Sequence, residues 1–156
     1  MAFEDKQSKI RIMKIVIPGI PQAKQSARFR NVKSKTGKKD FIMSYQKKSV
    51  MDNASNIGKI ALSQLPIGFV PYDCAIVAKV TFVFPPLSSW NKVTKLLFES
   101  GKTIFKTTKP DVDNCLKAIF DGLNGIVFID DSRVSRVISE KVYGKEPRVE
   151  LEFMIL

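Results

Sequence analysis

The stretch Lys109–Asp131, "KPDVDNCLKAIFDGLNGIVFIDD", decides how the rest of the chain is read. Val112, Leu116, Ile119, Phe120 and Leu123 fall on one face at the 3.6-residue period, which predicts a helix over 112–124. Gly125 stands where a left-handed C-terminal cap is expected. The apolar run "IVFI" (126–129) then reads as a short buried strand, and "DDS" as a turn. The same stretch carries five Asp in 21 residues, inside a chain of net charge +11.

Working outward, "RIMKIVI" (11–17) reads as a strand that "PGIPQ" stops. A basic loop is expected over about 19–42, with Gly37 at its tip. Val50, Ala54, Ile57 and Ala61 give residues 45–64 a helical stripe, locally weakened by Gly58. Residues 73–84, "DCAIVAKVTFVF", are rich in Val, Ile and Phe and read as a long strand ended by "PP". In 87–108, Val93, Leu96 and Leu97 have helical spacing, with Gly101 as the stop. Residues 133–143 and 147–155 read as two antiparallel strands around "GKEP". The expected fold is α/β or α+β, a single mixed sheet with two to three helices packed on it. One domain over 1–156 accommodates all of it, with no repeat and no linker.

A chain of 156 residues builds a core without staples. Its apolar runs are too short to cross a bilayer, and its N-terminus is a poor signal peptide, so a cytoplasmic protein is expected. Cys74 and Cys115 then read as reduced, buried thiols. There is no His, which removes His-ligated zinc, Ser-His-Asp triads and His general bases.

The basic excess is concentrated. Residues 1–48 hold 13 Lys+Arg against 3 Asp+Glu, and the remaining two-thirds of the chain is nearly neutral. The centre is "QAKQSARFRNVKSKTGKKD" (22–40). Such a density of like charge repels itself unless a partner offsets it, and phosphate is the fitting counter-charge. Lys24, Arg28, Arg30, Lys33, Lys35, Lys38 and Lys39, with Lys109 beside the acidic stretch, are the candidate DNA contacts. Phe29, between two arginines, is placed to stack on an unpaired base. No basic amphipathic helix suggests a membrane surface instead.

Two acids at a helix start, Asp111 and Asp113, have a plain structural reading as caps. Lys117 lies one turn from Asp113, where a surface ion pair is the plain alternative to a phosphate contact. A second acidic pair, Asp130 and Asp131, follows "IVFI". If that run is a returning strand, Asp131 approaches Asp111 and Asp113. Three carboxylates in one small volume need a cation, and magnesium suits an all-oxygen set. It would activate water and offset charge on a phosphodiester, with Lys117 reaching the same phosphate. Asp121 is expected to pair with a basic partner, and Asp130 to point away from Asp131.

The stretch "KPDVDNCLKAIFDGLNGIVFIDDSRV" resembles the motif of RusA-type Holliday junction resolvases, crossover junction endodeoxyribonucleases of phages and prophages. That motif reads approximately P-D-x-D-N-x-x-K-x-x-x-D-x-L-N-G-x-x-x-x-D-D. "PGIPQAKQSARFR", "SSWNK" and "KVYGKEPRVELEF" extend the resemblance over most of the chain. It implies a magnesium-dependent endonuclease, with manganese as a substitute metal, that acts as a homodimer and nicks paired strands of four-way junction DNA; recombination repair and phage DNA processing are both open as its setting. The family's catalytic acids match Asp111, Asp113 and Asp131, and its essential lysine matches Lys117. Arg133 stands where family members commonly have Gln, and "SARFR" replaces the more usual Arg-Pro-Arg.

Two other functions compete. One is a metal-dependent nuclease with looser taste for branched or flap DNA, or RNA. The other is a non-catalytic DNA-binding protein whose acids only cap a helix.

Overall fold

The computed structural model describes residues 12–33 and 41–156. Its core is a four-stranded mixed sheet covered on one face by two helices, with a separate two-stranded ribbon. This is an α+β arrangement. The sheet contains β1 (Met13–Pro18), β4 (Ile76–Phe84), β5 (Val134–Tyr143) and β6 (Arg148–Ile155), ordered β1-β6-β4-β5. The ribbon contains β2 (Arg28–Val32) and β3 (Phe41–Tyr45). The helices are α1 (Lys48–Gln64), α2 (Lys92–Glu99) and α3 (Val112–Leu123).

Strand alternation explains the layers. Ile15 and Ile17 of β1, Ile76, Ala78, Val80, Phe82 and Phe84 of β4, and Val149, Leu151 and Phe153 of β6 all face the helices. The opposite face is mostly polar, with Lys14 paired to Glu152 and Arg148 to Glu150. Among the described strands, only β4 is apolar on both faces, since Val77 and Val83 are buried too. A strand of that kind takes a central position with a neighbour on each side.

This explains one departure from the sequence reading. Residues 133–143 and 147–155 are strands, but they do not pair with each other. β4 lies between them, parallel to β5 and antiparallel to β6. The "GKEP" segment crosses the end of β4, where the Gly144 N–H donates to the Phe84 carbonyl at 2.9 Å.

The run "IVFI" is a second departure. It is a tight loop, not a strand. Gly125 takes φ +74° and its N–H donates to the Phe128 carbonyl at 2.8 Å. Tyr72 donates to Val127 O and accepts from the Ile129 N–H, at 2.9 and 3.0 Å. Val127 and Phe128 are buried, which satisfies the apolar run without any strand. Four apolar residues carry too little periodicity to separate the two outcomes.

The basic segment departs as well. Its described part includes β2 and β3, paired antiparallel, where a loop was expected, and Tyr45 belongs to β3, so α1 starts at Lys48. Gly37 lies outside the described residues. Cys115 is buried as expected, but Cys74 is exposed; both are free.

Two glycines let α1 and α3 touch. A Cβ on Gly122 would stand 2.6 Å from Ile57 Cγ2 and 3.0 Å from the Ala54 carbonyl. One on Gly58 would stand 2.8 Å from Ile126 Cδ1. A larger residue forces the helices apart. Overpacking of this kind costs about 1–3 kcal/mol, more than the few tenths by which valine's helix propensity exceeds that of glycine. Gly122→Val is expected to lower the urea midpoint by an amount equivalent to about 2 kcal/mol. An unchanged midpoint would show that the helix contact does not hold the layer together.

Candidate functional site

The acidic stretch is anchored at both ends. At one end, residues 104–110 are stapled to the C-terminal end of β5. Tyr143 N–H donates to Ile104 O at 3.0 Å, and Lys106 N–H to Lys141 O at 2.8 Å. Lys141 Nζ then donates to the carbonyls of Thr108 and Pro110, at 2.8 and 2.7 Å. Lys106 Nζ lies over the rings of Phe84 and Tyr143 and donates to Thr108 Oγ1 at 2.8 Å. These contacts deliver Asp111 to the start of α3.

Asp111 occupies the N-cap position, but its side chain makes no capping hydrogen bond. Its carboxylate is exposed beside Asp113 in the first helical turn. Lys117 Nζ meets Asp113 Oδ2 at 3.3 Å, with both side chains more than half exposed. The helix N-terminus favours both acids, and the Lys117 ammonium offsets Asp113. The buried Cys115 thiol lies beneath this field. Burial pushes its pKa up, as do Asp111 and Asp113, while Lys141 and Lys106 pull it down. It stays a thiol and serves as packing.

The other acidic pair sits elsewhere. α3 runs from the Lys141 end of β5 back toward the strand's start, where Tyr72 bridges to Phe128. Asp130 and Asp131 follow that loop and lead directly into β5 through a 3-10 turn, Asp131–Arg133. The twelve residues of α3 make it about 18 Å long. Asp131 therefore lies at the far end of the helix from Asp111. Two ligands of one magnesium ion must each come within about 2.1 Å of it. The expected convergence of Asp111, Asp113 and Asp131 does not occur within one chain, because the strand that would have returned Asp131 is a tight loop. Among the described residues, no group of three or more His, Cys, Asp or Glu is close enough to hold a metal ion.

The two neighbouring aspartates differ. Asp130 accepts from the Ser132 N–H at 2.9 Å and caps the turn. Hydrogen bonding from Ser132 holds its carboxyl below the ordinary value, with Arg133 adding to the effect. Asp131 is exposed, and its side chain makes no ion pair among the described residues. Arg133 Nε donates to Asp73 Oδ1 at 2.8 Å and pins the turn to the segment before β4.

Of the candidate DNA contacts, Lys24 is engaged in the fold. Its ammonium meets Asp121 Oδ2 at 2.5 Å, and its N–H donates to Asn114 O at 2.9 Å. That supplies the basic partner expected for Asp121 and removes Lys24 from the free basic surface. Arg28, Arg30, Lys33 and Lys109 are exposed. Lys35, Lys38 and Lys39 lie outside the described residues. In the ribbon, Arg28 pairs with Tyr45 and Arg30 with Met43, while Phe29 pairs with Ser44. Strand alternation therefore puts Arg28 and Arg30 on one face and Phe29 on the other.

Sequence reasoning missed Lys106 and Lys141. The available signal was Lys141's place in the strand alternation: it pairs with the buried Phe82 and so faces the helix layer.

A protein from Bacillus subtilis (strain 168) described as "Uncharacterized protein YqaN" is 35% identical to this chain over 95 residues, 61% of this chain and 66% of that one. The family model described as "Endodeoxyribonuclease RusA" matches residues 18–154. That match takes in the ribbon, both acidic pairs, β4, β5 and all of β6 but its last residue, and leaves out all of β1 but Pro18, so the chain belongs to the RusA endodeoxyribonuclease family.

Proposed function

We propose that this protein is a divalent-metal-dependent, structure-specific endodeoxyribonuclease that acts as a homodimer on four-way junction DNA. The observation that carries this reading is the state of Asp111: it stands at a helix start, exposed, and does not cap the helix. A carboxylate held there by the Lys141 staple, beside Asp113 and Lys117, is better suited to a ligand than to the fold.

Asp111 and Asp113 of one subunit and Asp131 of a second copy would hold the cation. The separation of Asp131 from the other two along α3 supports a site shared between subunits. An all-carboxylate set suits magnesium or manganese. The bound metal would supply Lewis-acid polarisation of the scissile phosphate and activation of water. The chain's own groups orient the substrate. Lys117, held by Asp113 one turn along the helix, faces the same phosphate and offsets charge as the phosphorane develops. Asp130 keeps the turn that presents Asp131 in shape, and Arg133 ties that turn to Asp73.

DNA would be drawn in by the ribbon, where Arg28 and Arg30 share a face, with Lys33 and Lys109 adding charge. A two-fold dimer would offer two sites related by the junction's own symmetry, which is the requirement for paired nicks.

A shared site makes an unusual prediction. Asp111→Asn and Asp131→Asn should each abolish cleavage. Mixed and reassorted, they should regain nicking, because half of the sites in each mixed dimer contain all three aspartates. Continued inactivity of the mixture, with exchange verified, would mean that the three acids do not form one site across subunits.

The ribbon generates a second prediction. Replacing Arg28 and Arg30 together with Ala should weaken binding across DNA sequences. It should also reduce the slope of log K against log salt by about 1.8, since each phosphate contact releases about 0.9 counterion. An unaltered slope would place the phosphate contacts elsewhere.

A further inference from the structure

The segment that joins β1 to the basic ribbon is held in place. The Gly19 N–H donates to Pro147 O at 3.0 Å, and the Lys24 N–H donates to Asn114 O at 2.9 Å, one residue past Asp113. Between these points Ala23 packs against the core. Where this strap passes α1 and α3, it leaves a cleft of about 370 Å³ including its open mouth. Gln22 and Gln25 of the strap, Ser49 and Asn53 of α1, and the Lys24–Asp121 ion pair line it. A strap fixed in this way makes the cleft a preformed site.

The geometry points to a further binding site: the cleft takes one unpaired nucleobase of the DNA close to the scissile phosphate, read by Gln25 and Asn53. This rests on the nuclease reading above and gives that enzyme a means of choosing where to cut.

The lining selects the ligand. Lys24 is neutralised by Asp121, and the other four side chains are uncharged, so neither a phosphate nor a cation is favoured. The side chains of Gln22, Gln25, Ser49 and Asn53 make no hydrogen bond among the described residues. Each offers both a donor and an acceptor. The ion pair engages only Oδ2 of Asp121, which leaves Oδ1 as an acceptor, and Lys24 retains further N–H groups. A phosphate presents acceptors alone, whereas a base edge carries donors and acceptors side by side, the pattern that Asn and Gln amides match in pairs. Asn53 and Ser49 stand one turn apart on α1 and therefore share a face.

Position supports the same ligand. The strap leads into β2, whose Arg28 and Arg30 are the proposed phosphate contacts, and it is tied to α3 beside Asp113. A strand running from the ribbon to the acids crosses the mouth of the cleft. Between Asp113 and Asp121 the helix rises about 12 Å at 1.5 Å per residue, the span of about three or four bases at 3.4 Å along one strand. The base that enters therefore lies within about four nucleotides of the cut. Next to a branch point, where pairing is already interrupted, extruding a base costs least.

The test uses the full-length protein and a synthetic four-way junction carrying 2-aminopurine at each position within about four nucleotides of the branch point. In EDTA, binding should raise the fluorescence at one position, as the base leaves its stack. Asn53→Ala and Gln25→Ala should each largely abolish that rise; Gln25 is exposed, so its variant guards against a folding defect at the half-buried Asn53. With magnesium, the natural base at that position should change the cleavage rate by about tenfold or more, and each variant should bring that ratio toward one. Absence of a rise at every position would overturn the proposal, and so would a rise that both variants leave intact. A rise lost in the variants without any cleavage would uphold the cleft and refute the nuclease reading. Junction cleavage with neither a rise nor a base preference would refute the cleft and leave that reading standing.

Discussion

The arrangement depends on how α3 is fixed along β5. Lys141 reaches from the end of the strand to the carbonyls of Thr108 and Pro110, and that sets where the helix begins. At the other end, the Gly125 turn and the bonds between Tyr72 and residues 127–129 set where the chain leaves it. Between those two points the helix is pressed onto α1 by the contact at Gly58 and Gly122. With both ends held, Asp111 and Asp131 stand at opposite ends of a rigid rod. No loop movement of modest size brings them together within one chain.

That constraint explains the allocation of charge. A carboxylate used for structure is capped or paired, as Asp130 is by Ser132, Asp121 by Lys24 and Asp73 by Arg133. Asp111 and Asp131 are exposed and have no such partner among the described residues. Asp113 is intermediate, since its pair with Lys117 is solvated and worth only about 0.3–0.5 kcal/mol. Approach of a cation or a phosphate rearranges such a pair at little cost. The basic surface is likewise sorted, with Lys24 committed to the fold and Arg28 and Arg30 held on one face of the ribbon.

The helices and the central strand were legible because their patterns are long. Five apolar positions at helical spacing fixed α3, and nine residues rich in Val and Phe fixed β4. Asp113 and Lys117 were legible as a pair because four-residue spacing in a helix forces them together. What failed was whatever depended on a short run or a distant partner. "IVFI" satisfies burial equally well as a loop, and the position of Asp131 hung on that choice. The β5–β6 pairing was misassigned because adjacency in sequence suggested a hairpin, while the two-sided apolar β4 claimed the place between them. Lys141 acts through backbone carbonyls some thirty residues away, which no local spacing records. The β2–β3 ribbon was hidden because both strands are largely solvent-exposed and lack the buried face that makes a strand readable.

The most direct measurement is cleavage of a labelled synthetic four-way junction beside a linear duplex of the same sequence, with magnesium and with EDTA. Paired, symmetric nicks in the junction alone, lost with EDTA, are the predicted result. Binding with no cut in either condition would contradict the account, and would mean that the acids at the two ends of α3 serve only the fold.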